Sequence, residues 1–395
     1  MLYKNLVTIT YMLIIISIFL KYKIYPAIMI FFIFLNIINI KKISTVKKEN
    51  IFLGIFLGFA ILNYAFFNRE VKNLDLIIKL GINISFLIAF INLIDYIEDY
   101  KSIFLLIKIL IILTFIQIVI IYYLKNINIF YFLNIESSHA AYVINLDNVP
   151  FILANENKNI WSTKILFLSL TYLFYSSKRK EKNLFFRIFI IINCILLVSR
   201  TGYLALILYL SLEILLILFK KYRRNKALLF LLGLVLTIIF YFGIRLITQK
   251  LLRIDYINLE SYLNSNRDGG SSRLRNWFIF IKYYFTTPFL RGIGIGNTKN
   301  FLISHNGFPD DNMHNFIFNT LLEQGVIIFL PYILYHFFFI KKILKQFKFD
   351  GVLLILPFYL VISLHYLGYD NDLVVYISLV SLIIKIFKKR SCQKC

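Results

Sequence analysis

Five histidines occur in the 395-residue chain, and one of them, His314, stands just before a strongly apolar run. The stretch reads NMHNFIFNTLLEQG and follows the polar string SHNGFPDD. Imidazole has an unperturbed pKa of about 6.5, so a histidine can accept a proton near neutral pH. At the end of an apolar helix, a histidine can equally cap the helix or face lipid headgroups. The residue type alone leaves both interpretations open.

Arginines mark three other stretches that could bind an anion. Arg200 lies in VSRTGYLAL, Arg273 and Arg275 open SSRLRNWFIFIKYYF, and Arg291 precedes GIGIGN. The planar guanidinium donates two parallel hydrogen bonds, which suits phosphate. A charge at membrane depth is costly and indicates function, although Arg200 can also snorkel to the headgroups. For GIGIGN, a tight turn with positive φ is the favoured interpretation, because a nucleotide fingerprint needs a preceding strand.

The elements that position these residues are membrane helices. Hydrophobic residues make up 59% of the chain and its mean hydropathy is +0.75, above the roughly 45–50% apolar share of soluble domains. About 20 apolar residues cross the hydrocarbon layer as a helix. The fold class predicted is all-α, a polytopic bundle of about 12 transmembrane helices, in which the first two short spans could form one re-entrant pair. The predicted spans are about 5–20, 24–40, 51–67, 75–95, 103–124, 159–176, 183–199, 202–219, 227–247, 315–340, 352–368 and 372–388.

The net charge of +24 follows from lysines grouped at helix ends, a pattern typical of cytoplasmic loops, so we expect no nucleic acid. The richer set of ends includes KKISTVKK, SKRKEK and KKYRRNK, whereas the opposite set includes GYDND without a basic residue. Both termini are therefore predicted to be cytoplasmic, with the N-terminal run a first span and no cleaved signal. Two longer segments, about 125–158 and 248–314, are predicted to lie outside, the second with an amphipathic helix capped by Ser271 or Ser272.

Arginines and one imidazole on the external face suit a lipid-linked diphosphate donor. The arginines would neutralise the leaving diphosphate, and the histidine would take a proton from an attacking hydroxyl. The two long external segments contain no carboxylates at metal-binding spacing beyond the adjacent Asp310 and Asp311, and the terminal CQKC has no second cysteine pair. We therefore expect neither a metal nor a cofactor.

Four motifs in order resemble the O-antigen ligase and polymerase superfamily, whose shared segment is called Wzy_C. Over about residues 190–335, Ser199-Arg200-Thr201-Gly202 ends a span, and Arg273 is followed by Trp277. Pro288 then precedes GIGIGN, and His314-Asn315 precedes Glu323-x-Gly325. Arg291 and Arg275 are departures from the family pattern. His305-Asn306 is interpreted as a decoy, because it has no glutamate nine residues on.

The resemblance implies one membrane glycosyltransferase domain over 1–395. It implies metal-independent, inverting transfer of a glycan from undecaprenyl diphosphate to a hydroxyl of the lipid A-core, at the periplasmic face of the bacterial inner membrane. In this assignment Arg200 and Arg273 bind the diphosphate and His314 is the base. Expected substrate-binding residues are Arg275, Arg291, Asn315 and Trp277, and the expected partners are the lipid-linked donor, the lipid A-core acceptor and membrane lipids.

Two alternatives stay open. A polymerase of the same superfamily shares these motifs, and the compact length and single dominant loop favour a ligase. A transporter for lipid-linked sugar would carry charges along a path through the spans, where the sequence has only Lys79, Lys108, Lys164 and Arg187.

Overall fold

Helices make up nearly all of the described structure, a computed structural model. It describes residues 2–20, 24–39, 47–67, 73–128, 158–181, 184–197, 199–222, 233–234, 241, 269–365 and 367–392. Within these ranges there are thirteen α-helices and no strand. The helices are α1 (Leu2–Ser17), α2 (Tyr25–Ile38), α3 (Lys48–Phe67), α4 (Leu74–Leu93), α5 (Tyr100–Leu124), α6 (Lys158–Lys178), α7 (Leu184–Leu196), α8 (Arg200–Tyr222), α9 (Gly269–Tyr283), α10 (Thr298–Ser304), α11 (Phe316–Phe347), α12 (Val352–His365) and α13 (Asn371–Cys392).

Eleven of the twelve predicted spans coincide with a described helix. The span predicted at 227–247 lies outside the described residues apart from 233–234 and 241, as do most of the segment 125–158 and residues 248–268. The helical membrane fold is confirmed, whereas the count of twelve spans stays a prediction. The predicted serine cap is wrong: α9 begins by Gly269, so Ser271 and Ser272 lie inside the helix.

Five described segments are long and apolar enough to cross a membrane. The last of them, Phe316–His365, contains both α11 and α12 and the short turn between them. Helices α1, α2 and α7 are apolar but shorter than 18 residues. The five segments are Lys48–Phe67, Leu74–Tyr96, Tyr100–Leu124, Thr201–Lys221 and Phe316–His365.

Helices α6 and α13 form the centre of the bundle. Nearly every residue of α6 from Trp161 to Ser176 is buried, and so is the run from Leu373 to Leu382 in α13. Because they are buried on every face, these two helices are surrounded by the others, and the polar side chains of α6 are buried with them. Phe167 of α6 and Tyr376 of α13 pack with ring centroids 4.6 Å apart.

The lysine-rich helix ends lie together at one end of the bundle, where they are joined by ion pairs. Lys4 contacts Glu98 at 2.6 Å, and Lys342 contacts Glu49 at 3.0 Å. Asp350, between α11 and α12, pairs with both Lys178 and Lys220. The grouping of these ends therefore agrees with the charge pattern, and its cytoplasmic orientation stays a prediction. The residues with candidate chemistry lie at the opposite end.

Candidate active site

A cavity of about 410 Å³ opens at that opposite end, where several helices start or finish. Helices α1, α2, α4, α6, α9, α12 and α13 all contribute to its wall, together with the segment before α11. The ionisable side chains that line it include Arg273, His314, His365, Lys79, Lys164 and Asp370. Arg273 and His314, which the sequence analysis assigned to one reaction, therefore share one cavity.

His314 reaches the cavity from a left-handed backbone conformation, with φ of 50°. Its side chain is 25% exposed, and its Nε2 lies 3.8 Å from Oδ2 of Asp310. That separation is too long for a hydrogen bond. Within the described part of the chain, the buried Nδ1 of His314 has no hydrogen-bond partner either. The imidazole is therefore close to a carboxylate without being tied to it.

His314 is uncharged at neutral pH. Burial, and then the positive charge of Arg273, lower the pKa of its imidazole to about 4. Burial raises the pKa of the neighbouring Asp310 from its ordinary value. A base must be deprotonated before it can accept a proton, so this lowered pKa keeps the imidazole available across the neutral range.

Arg273 and Arg275 point to different surroundings, because residues two apart on a helix lie on different faces. Arg273 lines the cavity, and its Nη1 donates to the carbonyl oxygen of Leu364 at the end of α12 at 3.0 Å. Arg275 instead donates to the carbonyl oxygen of Asn306 and is not among the lining residues. The geometry distinguishes two arginines that the sequence pattern left interchangeable.

The Ser-Arg-Thr-Gly motif, which includes Arg200, lies at the end of the bundle where the cavity opens. Arg200 is the first residue of α8, and its side chain lies outside what the structure describes. Its neighbour Thr201 shares a hydrogen bond of 2.9 Å with Nε2 of His365, a cavity residue. A Cβ on Gly202 would lie 2.2 Å from Oγ of Ser162, so the glycine allows α8 to approach α6 closely.

Two lysines and their acidic partners form a part of the wall that the sequence analysis did not assign to the site. Lys79 of α4 pairs with Asp370, and Lys164 of α6 lies 3.7 Å from Asp372. Buried charges need such partners because desolvation is costly. The signal was present in the sequence: two lysines within spans, and an acidic GYDND loop without a basic residue. No spacing rule connects them, because their separation along the chain is large.

Arg291 lies away from the cavity lining. Its guanidinium is exposed and sits 4.6 Å from the centre of the Phe67 ring, a cation–π contact. Its backbone carbonyl accepts a hydrogen bond of 2.9 Å from Nδ2 of Asn63. These contacts join the start of the glycine run to the end of α3.

The glycine run docks into a break in helix α11. Gly325 has φ of 75° and ψ of 173°, a conformation essentially restricted to glycine, and it interrupts the helix. The freed backbone groups bind the run: Ile293 N–H donates to Leu322 O at 2.9 Å, and Gly294 N–H donates to Glu323 O at 2.8 Å. A Cβ on Gly292 would lie 2.4 Å from that same oxygen. The predicted turn with positive φ is confirmed, and its purpose is to bind this break.

Glu323 secures the docked glycine run from a buried position. Its Oε1 accepts hydrogen bonds from Gly296 N–H at 3.1 Å and from Thr298 Oγ1 at 2.8 Å. Its Oε2 accepts from Nδ2 of Asn319 at 3.1 Å. Glu323 does not line the cavity. The glutamate that distinguished His314 from His305 in the sequence is thus part of the framework beneath the histidine.

Trp277 and Asn315, for which the sequence predicts substrate contact, both bind backbone groups in the segment around His314. The indole Nε1 of Trp277 donates to the carbonyl oxygen of Met313 at 2.7 Å. Asn315 is the N-cap of α11, and its Oδ1 accepts from Ile317 N–H at 3.0 Å and from Phe318 N–H at 3.1 Å. Neither residue is among those that line the cavity.

Metal ligands do not gather anywhere in the described ranges: no three His, Cys, Asp or Glu side chains there form a group that could hold an ion. The cavity has a different make-up: two lysines close to carboxylates, the guanidinium of Arg273, and the imidazoles of His314 and His365. Such a wall can bind an anion at Arg273 and accept a proton at His314.

Comparison with known families identifies the segment that supplies these residues. Residues 185–333 match the family model Wzy_C, described as O-antigen ligase. The match covers Arg200, Arg273 and His314, and the resemblance carried by the four motifs is confirmed. No curated protein matches the chain. Lys79, Asp370 and the other wall residues from α4 and α13 lie outside the matched segment.

Proposed function

We propose that this chain, whose residues 185–333 match the Wzy_C model of a family of ligase- and polymerase-type membrane enzymes, is an O-antigen ligase. It transfers a glycan from undecaprenyl diphosphate to a hydroxyl of the lipid A-core. The reaction takes place at the periplasmic face of the bacterial inner membrane. The observation that carries the proposal is the cavity that Arg273 and His314 line together.

Arg273 and Arg200 bind the diphosphate of the donor. As the glycosidic bond breaks, negative charge develops on the diphosphate oxygen that leaves, and a guanidinium fork stabilises that charge. Arg273 is the better supported of the two, since its side chain lines the cavity. Lys79 and Lys164 are close to carboxylates, so their charges are largely balanced, and the arginines provide the attraction for the anion.

His314 is the base for the acceptor. The acceptor hydroxyl oxygen attacks the anomeric carbon, the bond from that carbon to the diphosphate oxygen breaks, and the hydroxyl proton passes to Nε2 of His314. The neutral state of the imidazole supports this role. The carboxylate of Asp310, 3.8 Å from Nε2, stabilises the imidazolium that forms. Attack opposite the leaving group inverts the anomeric configuration.

A transporter is less well supported by the arrangement of charges. Lys79 and Lys164 lie in the second turns of α4 and α6, and both line the same cavity as Arg273. Arg187 pairs with Glu213, and Lys108 lies 5.2 Å from the ring centre of Phe186. The two lysines thus cluster at one end of the bundle and mark a pocket there.

Transfer by the purified chain in detergent tests the proposal. Undecaprenyl-diphosphate-linked glycan is mixed with lipid A-core, and in a parallel reaction with a second lipid-linked repeat unit in place of the core. We expect glycan on the core and no extension of the second repeat unit. Extension of the repeat unit without transfer to the core would assign a polymerase. Absence of transfer to either acceptor would contradict the proposal that the chain is a glycosyltransferase. A reaction without added protein is the background control, and His314→Ala protein, prepared identically, is measured beside it.

A further inference from the structure

The backbone of His314 needs support from its surroundings. A φ of 50° is unfavourable for a residue with a Cβ, and it persists only where neighbouring groups hold it. The N–H of His314 donates to Oδ1 of Asn312 at 2.8 Å. That contact is local and exists in the turn itself. The stronger restraint acts on the preceding peptide.

The backbone N–H and the backbone carbonyl oxygen of Met313 both form hydrogen bonds with side chains from other parts of the fold. Its N–H donates to Oδ1 of Asn319 at 3.1 Å, and its carbonyl oxygen accepts from Nε1 of Trp277 at 2.7 Å. Met313 is itself buried against Trp277 and neighbouring apolar side chains. The residue before His314 is therefore fixed from both sides, one contact coming from α11 and the other from α9.

Glu323 determines which way the amide of Asn319 points. Asn319 is fully buried, and its Nδ2 donates to Oε2 of Glu323 at 3.1 Å, which leaves Oδ1 for the Met313 N–H. Glu323 is a suitable acceptor because its other oxygen is already bound by Gly296 and Thr298. A continuous set of hydrogen bonds thus runs from the glycine run through Glu323 and Asn319 to the peptide before His314.

We propose that Glu323, Asn319 and Trp277 are positioning residues that hold the His314 imidazole at the acceptor hydroxyl. None of the three lines the cavity, so they act through the Met313 peptide and not on the substrate. The inference rests on the proposed role of His314 as base. It also assigns a purpose to the glycine run and the helix break, which anchor Glu323 below the reacting group.

We call the hydrogen bonds by which Glu323, Asn319 and Trp277 hold Met313 the relay. Exchanging the carboxylate at position 323 with the amide at position 319 tests it with little change in side-chain shape. In Glu323→Gln, Oε1 keeps both partners from the glycine run, but an NH₂ group replaces Oε2 and meets the NH₂ group of Asn319. Either that hydrogen bond is lost, or Asn319 flips and loses its bond to Met313. The double variant combines Asn319→Asp with Glu323→Gln. There the new amide at position 323 donates to the new carboxylate at position 319, whose second oxygen accepts from the Met313 N–H, so the pattern is complete again.

For the transfer reaction, we expect Glu323→Gln to lower kcat about 10- to 100-fold, since a misplacement of about 1 Å can cost 10²-fold. The KM for the donor should change less than about threefold, because Arg273 is untouched. The double variant should return kcat to within about threefold of wild type. Full activity in Glu323→Gln, or a double variant that is no better than the single one, overturns the proposal.

Trp277→Phe provides a second route if Glu323→Gln does not fold. It keeps the aromatic packing against Phe318, 6.0 Å between centroids, and removes only the N–H that binds Met313. We expect about a tenfold loss of kcat with the donor KM unchanged. A wild-type kcat from a folded Trp277→Phe protein counts against the relay.

A spectrum of ¹⁵N-histidine-labelled protein separates this inference from the proposed function. The chain has five histidines, and the His314 signals are those missing from His314→Ala. They should shift in Glu323→Gln and return in the double variant. Unshifted signals together with an inactive His314→Ala reject the relay alone. Shifted signals together with a fully active His314→Ala reject the role of His314 as base, and they leave the hydrogen bonds that hold Met313 supported.

Discussion

Two His-Asn pairs lie nine residues apart, and their environments differ sharply. His305 closes α10, its Nδ1 donates to the carbonyl oxygen of Phe301 at 2.9 Å, and its ring lies 4.5 Å from that of Tyr283. His314 lines the cavity, and its Nε2 lies 3.8 Å from Asp310, too far for a hydrogen bond. The first imidazole completes a local turn, whereas the second is kept available for chemistry.

The support beneath the two histidines differs as well. The hydrogen bonds of the His305 ring stay within its own short helix, as with Ser304 Oγ at 3.0 Å. His314 depends on Trp277 from α9 and Asn319 from α11, which hold the preceding peptide. A residue that must meet a substrate is better fixed by distant, rigid elements than by its own loop. The comparison therefore predicts different responses to equivalent changes.

The largest difference should come from removing each imidazole. We expect His314→Ala to slow transfer by about 10²–10⁴-fold, the range that general acid–base catalysis contributes. His305→Ala should stay within about threefold of wild type, because its ring does not reach the cavity. Initial rates with purified proteins measure both, and equal losses would show that the two imidazoles do not differ in function.

The two arginines of α9 should differ in the same way at the donor. One charge-assisted hydrogen bond is worth about 1.5–3 kcal/mol, so Arg273→Ala should lower kcat/KM for the donor about 10- to 150-fold. Arg275→Ala removes a contact to Asn306 outside the cavity and should cost less than about fivefold. A larger loss in Arg275→Ala than in Arg273→Ala would reverse our assignment of the diphosphate contact.

The framework under His314 should show in stability. Gly325→Ala places a Cβ 2.4 Å from Gly292 N in a backbone region that costs a non-glycine residue about 1–3 kcal/mol. We expect a lower Tm in detergent and reduced transfer. Gly58→Ala is the matched control, because a Cβ there has no atom within 4 Å and alanine favours a helix. A Tm that is unchanged in Gly325→Ala would argue against the docked break.

The smallest effect should be in the pH profile. With its pKa lowered to about 4, His314 stays deprotonated as pH falls through 6.5, so kcat/KM at pH 6.0 should stay within about twofold of its value at pH 7.5. An imidazole with the ordinary pKa of about 6.5 would lose roughly fourfold there. In the unfolded chain this histidine has its ordinary pKa of about 6.5, so on acidification the unfolded chain is protonated before the folded one. The free energy of unfolding should therefore fall as pH drops from 6.5 towards 4.

Hydropathy and lysine placement predicted most of the fold, because apolar length and charge position are local properties. They located the described spans within a few residues, except that α11 continues to Phe347, and they grouped the lysine-rich helix ends that the structure joins by ion pairs. The break at Gly325 was not predicted as a break. The backbone groups that the break exposes are satisfied by Phe289 and Leu290 and by the glycine run that follows them, all of which come from elsewhere in the chain.

The sequence motifs indicated which residues lie near the site, but they did not indicate what each side chain contacts. Arg273 and His314 share the cavity, as expected for one reaction, whereas Trp277 and Asn315 bind backbone groups. A motif records which residues occur, and it does not distinguish a group that meets substrate from one that holds its neighbour. The pairing of Lys79 with Asp370 joins the two halves of the chain, and no local pattern predicts such a contact.

Donor binding and transfer, measured on the same preparations, test the division of labour between Arg273 and His314 most directly. Equilibrium binding of undecaprenyl-diphosphate-linked glycan is compared among wild type, His314→Ala and Arg273→Ala. We expect His314→Ala to bind the donor with wild-type affinity while its turnover is lost, and Arg273→Ala to bind it at least about tenfold more weakly. Loss of donor affinity in His314→Ala equal to that in Arg273→Ala, or wild-type turnover from His314→Ala, would contradict the account.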